Sequence, residues 1–133
     1  MADQQLRAHA PVLLVSDLLR AHAYYAKKLG FASPRMWGDP PTFCIAQRDG
    51  LELMLSQVDA GDSFRPNGSY GHRIDAYFWV RDADALHAEF SEKGADMIGA
   101  PEDQYYGMRE FQVRDPDGHV LCFGHDTTGT ADA

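Results

Sequence analysis

The chain has 133 residues, of which 44% are hydrophobic and 24% are charged, a composition typical of one globular domain. Acidic residues outnumber basic ones by 20 to 12, and the net charge of −8 argues against a nucleic acid partner and favours a cationic ligand. No apolar run is long enough to span a membrane, and the N-terminus lacks the pattern of a signal peptide, so we expect a cytoplasmic protein.

The first predicted elements are a strand, a helix and three further strands. The first strand spans His9 to Val15, and Ser16 or Asp17 then offers an oxygen that can cap the helix. Gly30 can adopt the left-handed conformation that ends a helix. The later strands are predicted at 31–37, 42–47 and 51–56, with the turn Asp49-Gly50 between the last two.

A second set of elements follows a segment, 59–72, that is rich in turn-forming residues. A strand is predicted from Ile74 to Val80, and a helix that Asp82 caps and Gly94 ends comes next. The remaining strands are predicted at 97–98, 108–114 and 119–124. We divide this one domain, 1–133, into a first module at 8–58, a connector at 59–72, a second module at 73–125 and a disordered tail at 126–133.

An internal repeat with an offset of 65 residues relates the two modules. Asp17 aligns with Asp82, and Lys28 aligns with Lys93. Each module is a strand–helix–strand–strand–strand (βαβββ) unit, in which one helix covers one face of the sheet and leaves the other face bare. The predicted fold is therefore α+β, with two βαβββ modules forming a concave, barrel-like mixed sheet. We expect a homodimer, and exchange of strands between protomers stays open.

Two cysteines, Cys44 and Cys122, form neither a zinc-binding pattern nor a disulfide framework. Both lie in apolar runs that have the composition of strands. Because free cysteine behaves as a small apolar residue, we expect two buried free thiols.

Three segments carry a resemblance to a known family: FCIAQRDGLELMLSQ, AYFWVRDADALHAEFSEKG and YYGMREFQVRDPDGHVLCF. Their order and spacing, over roughly residues 8–125, resemble the vicinal oxygen chelate superfamily of glyoxalases, ring-cleaving dioxygenases and bleomycin resistance proteins. The likeness is to the bleomycin resistance branch in particular. It implies the paired βαβββ fold and either metal-assisted catalysis or the binding of a small molecule.

The resemblance also implies where a metal would be held. The four inward positions that carry the metal in the enzymes of this superfamily correspond here to Ala10, Met54, Asp75 and Cys122. Alanine has no donor atom, and the thioether of methionine is a soft, weak donor. Two remaining ligands do not make a Lewis-acid site, so we expect no divalent metal and no other cofactor.

The strand predicted at 74–80 has two chemically different faces. One face is wholly apolar, with Ile74, Ala76, Phe78 and Val80. The other face carries an acid and two large rings, with Asp75, Tyr77 and Trp79. Such a face suits a planar cationic ligand, and it suits a dimer interface equally well.

Further ligand-binding candidates follow from the resemblance. It places aromatic groove positions at Phe43, Tyr77 and Tyr106, while Trp37 and Met54 would complete an apolar wall. We also expect Glu110 to face the groove, with a surface ion pair as its alternative, and we expect His119 to be exposed. The predicted ligand-binding set is Trp37, Phe43, Met54, Asp75, Tyr77, Tyr106, Glu110 and Cys122.

The sequence thus favours a metal-free binding protein that sequesters an aromatic or cationic compound, such as a bleomycin-like antibiotic, in a groove of the dimer. The alternative is a metal-dependent glyoxalase-like lyase or isomerase, or a dioxygenase, with an altered ligand set. A metal-free enzyme that uses Glu110 or Asp75 as general base is a third interpretation. A fourth is an accessory domain without a small ligand.

Overall fold

The computed structural model describes residues 3–129 and contains eight strands and two α-helices in that range. The first module comprises β1 (Val12–Val15), α1 (Leu18–Leu29), β2 (Ala32–Gly38), β3 (Pro41–Arg48) and β4 (Leu51–Gln57). The second comprises β5 (Ala76–Trp79), α2 (Ala83–Glu92), β6 (Asp96–Asp103), β7 (Met108–Arg114) and β8 (Val120–Asp126). A 3-10 turn at Asn67–Tyr70 lies in the connector. Neither α-helix within residues 3–129 is long and apolar enough to cross a membrane.

The predicted repeat is confirmed by the topology. The strand orders are β1-β4-β3-β2 and β5-β8-β7-β6, so each sheet has its module's first strand at one edge. That first strand pairs in parallel with the last strand of the module, and the other pairs are antiparallel. Among the described residues no strand pairing joins the two sheets, so they do not close into a barrel.

Both helices begin with the same kind of cap. The Asp17 carboxylate accepts a hydrogen bond from the Arg20 amide at 3.2 Å, and the Asp82 carboxylate accepts one from the Ala85 amide at 3.1 Å. Each aspartate satisfies an amide that has no partner within its helix. Gly30, with φ of 75°, then ends α1 in the left-handed conformation.

The core lies between the helices and one face of each sheet. Alternate residues of the strands, such as Leu53 and Leu55 of β4, point toward the helices and are buried. The core runs without interruption from one module to the other, and the Phe31 and Phe78 ring centroids lie 6.1 Å apart at the junction. Cys44 and Cys122 are buried free cysteines, as predicted.

The two modules also lock together through reciprocal polar contacts. The Tyr24 hydroxyl of α1 donates to the Arg114 carbonyl oxygen at the end of β7, at 2.9 Å. In return, the Arg48 guanidinium at the end of β3 donates to both carboxylate oxygens of Glu89 on α2, at 2.7 and 3.0 Å. Tyr24 and Glu89 are 65 residues apart and so occupy equivalent positions of the two helices. From that position, each helix contacts the sheet of the other module.

Three predicted strand boundaries are wrong. The first strand begins at Val12 rather than His9, because Pro11 has no amide hydrogen to donate to a ladder. β5 is shorter than the predicted 74–80, since the Asp75 carboxylate holds the connector against the start of that strand. β6 extends to Asp103 instead of ending at Ile98, and its register shifts between Ile98 and Glu102, where Gly99 has φ of 74°. Such a bulge lets an edge strand continue past a glycine.

The predicted tail is described only in part. Asp126 is the last residue of β8, and 127–129 follow it in the structure. The rest of the predicted tail, 130–133, lies outside the described residues.

Candidate functional site

The register of the strands defines a second face on each sheet, opposite the helices. We call these the first concave face, on the sheet of the first module, and the second concave face, on the sheet of the second module. Paired residues of neighbouring strands point to the same side of a sheet. Matching positions of the two faces, the first face named first, are Val12 and Tyr77, Leu14 and Trp79, Phe43 and Glu110, Ile45 and Gln112, Met54 and Cys122, Ser56 and Gly124.

The second concave face carries a polar cluster built around one carboxylate. Glu110 is only 8% exposed, and its two oxygens accept hydrogen bonds from the Tyr77 hydroxyl at 2.7 Å and from the Tyr106 hydroxyl at 2.6 Å. Cys122 lies beside this carboxylate, opposite Tyr77 in the ladder. Four predicted site residues therefore come together from three different strands and a loop. We call them the Glu110 cluster.

A glycine makes this cluster possible. Gly124 pairs with both Trp79 and Glu110, and a Cβ atom built on it would collide with the Tyr77 hydroxyl oxygen. Any other residue at this position would push the Tyr77 ring away from Glu110. Gly124 was not among the predicted site residues, although a glycine inside an apolar strand indicates a close approach of another group.

The protonation of the cluster follows from burial and from Glu110. Burial raises the pKa of the Tyr77 hydroxyl, and the hydrogen bond to Glu110 raises it further; the same two causes raise the pKa of Tyr106. Both phenols therefore stay protonated and donate to the carboxylate. Burial, together with the nearby charge of Glu110, also raises the pKa of the Cys122 thiol to about 12. This thiol is neutral at physiological pH.

Asp75, another predicted site residue, is engaged in a separate network. Its carboxylate accepts hydrogen bonds from the amides of Asn67 at 2.7 Å, Gly68 at 3.0 Å and Val120 at 2.8 Å. Burial opposes ionisation of this group, but the three amides hold the pKa of Asp75 below its usual value. Asp75 therefore attaches the connector to β8, and we did not anticipate this from the sequence.

His119 is buried, so the prediction that it is exposed is wrong. Its side chain stacks on Phe64 of the connector, and Nε2 lies 2.6 Å from the Leu14 carbonyl oxygen. Nδ1 lies 3.3 Å from the Asp75 carboxylate, off the line of a good hydrogen bond. The connector covers this histidine, and a contact between residues so far apart in the chain leaves no local pattern.

The first concave face is apolar. The Trp37 and Phe43 rings lie 5.6 Å apart between centroids, and Met54 lies on the same face through its pairing with Ile45. Trp37 is 48% exposed, and Val12 is also exposed. The predicted residues Trp37, Phe43 and Met54 thus share one wall, on the other sheet from the Glu110 cluster.

Two cavities can be compared as ligand sites. The larger, about 690 Å³, lies between the modules, and its floor consists of core phenylalanine rings. Two of its charged groups, Arg48 and Glu89, already hydrogen-bond each other. The other cavity, about 440 Å³, lies on the second concave face and contains Glu110 and Tyr106. We place the candidate site at this second cavity because its lining is mainly polar and includes Glu110 and Tyr106 of the Glu110 cluster.

The side chains at the four metal positions do not fit a divalent metal. Ala10 has no donor, Met54 offers only a thioether, and the Asp75 carboxylate is held by backbone amides. Cys122 would have to lose a proton beside the carboxylate of Glu110, which the raised pKa opposes. Among residues 3–129, no group of three or more histidine, cysteine, aspartate or glutamate side chains is arranged to hold a metal ion. We therefore assign no chemistry to a metal here.

Solved structures of similar proteins share this fold. TioX from Micromonospora sp. ML1 is 22% identical with a TM-score of 0.66, over 96% of this chain and 99% of that chain. TnmS3, an antibiotic binding protein from Streptomyces sp. CB03234, is 25% identical with a TM-score of 0.67, over 92% and 99%. The bleomycin-binding protein of Streptomyces verticillus, solved with copper(II)-bleomycin, is 24% identical with a TM-score of 0.67, over 94% and 98%.

Sequence comparison gives the family. An uncharacterised protein of Mycobacterium bovis is 32% identical over 124 residues, which is 88% of this chain and 82% of the relative. The family model described as Glyoxalase/Bleomycin resistance protein/Dioxygenase superfamily matches residues 7–123. The repeat, the paired sheets and this match together show that the chain belongs to the glyoxalase/bleomycin resistance protein/dioxygenase superfamily.

Proposed function

We propose that this protein binds a small aromatic compound that carries a positive charge, and that it holds this compound without changing it. The observation that carries the proposal is the Glu110 cluster, a nearly buried carboxylate framed by aromatic rings on a bare sheet face. Sequestration of a bleomycin-like antibiotic is a function of this kind.

The chemistry of the cluster favours a cation. A carboxylate can accept about four hydrogen bonds, and the two tyrosine hydroxyls occupy one site on each oxygen of Glu110. A positively charged donor can fill the remaining sites with a charge-assisted bond. The Tyr77 and Trp79 rings, 5.1 Å apart between centroids, lie on the same concave face as Glu110 and supply aromatic surface for an attached flat ring.

The two concave faces suit the apolar and the charged parts of such a compound, respectively. The first face is an apolar wall with Trp37 and Phe43, and the second carries the charge and the hydroxyls. Trp79 is 63% exposed, so one chain leaves the second face open to solvent. A homodimer that places the first face of one protomer over the second face of its partner would enclose a flat ligand in each groove.

Holding rather than turnover follows from the side chains present. The metal positions lack a suitable donor set, so the electrophile used by the enzymes of this superfamily has no place to bind. In the proposed complex the cation fills the acceptor sites of Glu110 that the two phenols leave free, so this carboxylate is not available to take a proton from the ligand. Two proteins of similar structure, an antibiotic binding protein and a bleomycin-binding protein, support this proposal.

A titration tests the proposal. The purified protein is titrated with bleomycin and, separately, with the planar aromatic cation ethidium, and tryptophan fluorescence reports occupancy. We expect saturable quenching with at least one of them, because Trp37 lies on the first concave face and Trp79 on the second, and the proposed dimer brings these faces together. The recovered compound should be chemically unchanged by mass spectrometry. Absence of any saturable signal with both probes would contradict the proposal.

A matched pair of variants locates the signal. Tyr106→Phe removes a hydroxyl that donates to Glu110, whereas Tyr105→Phe removes a neighbouring hydroxyl on a side chain that is 98% exposed. We expect the first variant to weaken binding and the second to leave it unchanged. Equal effects would place the compound elsewhere.

The metal-dependent alternative has its own test. Protein purified without chelators is subjected to elemental analysis, and native mass spectrometry reports its oligomeric state in the same sample. We expect a dimer with no stoichiometric divalent metal. One nickel, zinc, manganese or iron ion per chain would favour a lyase, isomerase or dioxygenase instead.

A further inference from the structure

The cavity on the second concave face has a second, positively charged end that the proposed function does not use. Arg73, the residue after the connector, and Arg114 of β7 line the cavity together with Glu110, and His72 of the connector also lines it. From these positions we infer that the ligand is bipolar, with an anionic group opposite its cationic one. This inference rests on the proposed function and specifies the class of its ligand.

The strand geometry sets the distance between the two ends. Glu110, Gln112 and Arg114 are alternate residues of β7 and therefore point to the same side of the sheet. Four residues of a strand span roughly 13 Å, so the carboxylate and the guanidinium lie at opposite ends of a row with an amide at its centre. A ligand that meets both ends is an elongated molecule with well-separated charges.

The wall at the basic end is rigidly built. The Asp75 carboxylate holds the amides of Asn67 and Gly68 against β8, and a Cβ at Gly68 would collide with the Val120 side chain. The connector therefore packs directly on the residue that pairs with Arg114. Arg73 is exposed and lies at the rim of the cavity, close to this packed segment.

The two arginines are available to a ligand. Within residues 3–129 Arg73 forms no ion pair, and Arg114 has only Asp96, at 3.7 Å, with both side chains at least half exposed. Such an exposed, long ion pair contributes little, so an incoming anion can replace it. Guanidinium groups bind carboxylate and phosphate oxygens through paired N–H donors, which makes either anion a suitable partner.

The test uses a rigid azobenzene with an ammonium and a carboxylate at its two ends, 4′-(aminomethyl)azobenzene-4-carboxylate. Three derivatives serve as controls: the methyl ester, which is only cationic, the N-acetyl acid, which is only anionic, and the neutral N-acetyl ester. Isothermal titration calorimetry measures the affinity of each form for the intact protein. We expect the doubly charged form to bind about tenfold more tightly than the methyl ester.

Three glutamine variants assign the carboxylate to its site. Arg73→Gln or Arg114→Gln should remove most of the tenfold advantage of the doubly charged form and leave the methyl ester unaffected. Arg81→Gln, an exposed arginine outside this cavity, is the matched control and should retain the advantage. Because all three side chains are at the surface, thermal melting should show folded proteins.

The outcomes separate this inference from the function on which it rests. Equal affinities of the doubly charged form and the methyl ester in the parent protein would overturn the bipolar ligand and leave cation binding intact. An advantage that survives both Arg73→Gln and Arg114→Gln would overturn the assignment to this end of the cavity. If none of the four forms binds while ethidium or bleomycin does, the bipolar ligand fails and cation binding stands; if ethidium and bleomycin also fail to bind, both proposals fail.

Discussion

The two concave faces have the same backbone and opposite chemistry. At equivalent positions the first face has Val12, Phe43 and Met54 where the second has Tyr77, Glu110 and Cys122. The helix caps and core positions, by contrast, repeat closely between modules. The repeat therefore preserves what the fold requires, and the bare faces differ because no packing within one chain constrains them. One face is suited to cover a flat ring and the other to recognise charge.

Among the variants that test the difference between the two concave faces, we expect the largest effect from Gly124→Val. The added side chain would meet the Tyr77 hydroxyl, so we expect loss of ligand binding and a decrease of about 1–3 kcal/mol in the free energy of unfolding. Ser56→Val, at the equivalent position of the first face, should change stability by only about 0.5 kcal/mol. Urea denaturation and the fluorescence titration measure both effects. Similar results for the two variants would mean that Gly124 has no special role.

Glu110→Gln tests whether the second face recognises charge, because it removes the negative charge and keeps the shape of the side chain. We expect about a tenfold weaker affinity for ethidium, because the amide replaces a charge-assisted bond by a neutral one. Phe43→Leu changes the equivalent position on the first face and should weaken the binding of cationic and neutral aromatic compounds equally. Calorimetric titration of both variants distinguishes the two patterns, and an E110Q protein with unchanged affinity would contradict the role of the carboxylate.

Asp75 gives a pH test of the connector. Its pKa is lowered in the folded state, so its contribution to stability is present above the unfolded pKa of about 4 and is lost as the pH falls through the folded pKa. Burial raises the pKa of Asp115, so this second carboxyl group contributes to stability in the opposite sense as the pH falls. The free energy of unfolding of the parent must therefore be compared with that of Asp75→Asn at each pH. We expect the variant to be less stable by about 1–3 kcal/mol at pH 7, with the difference shrinking below pH 4.

A difference between the two proteins that stays constant from pH 7 to pH 3 would show that the charge of Asp75 does not hold the connector. Thermal denaturation across this range measures the effect. The Asp75→Asn variant should also bind the carboxylate of the doubly charged probe less tightly, since Arg73 directly follows the connector that Asp75 holds.

The smallest expected effect concerns Cys122. Its neutral, buried thiol should react with a thiol reagent far more slowly than a free cysteine at pH 8, since the pKa of about 12 leaves little thiolate. Cys44 is also buried, and burial raises the pKa of its thiol too, so both should be protected in the folded protein. Rapid labelling of Cys122 without unfolding would show that the second face opens in solution.

Much of the fold follows from local patterns. The repeat, the two aspartate caps and the alternation along the strands predict the βαβββ modules, and alternation puts Tyr77 on the face opposite the helices. Tyr106 was proposed from the family resemblance, because a loop residue has no such periodicity. The engagement of Asp75 and the burial of His119 were not predictable in this way. Both depend on how the connector folds back onto β8, and such long-range packing leaves no periodic signal.

The sharpest single measurement is the difference in affinity between the cationic methyl ester and the neutral N-acetyl ester of the azobenzene probe, in the parent protein and in Glu110→Gln. We predict that the parent prefers the cation about tenfold and that this preference disappears when the carboxylate is replaced. A preference that persists in the variant, or its absence from the parent, would contradict recognition of charge by the Glu110 cluster.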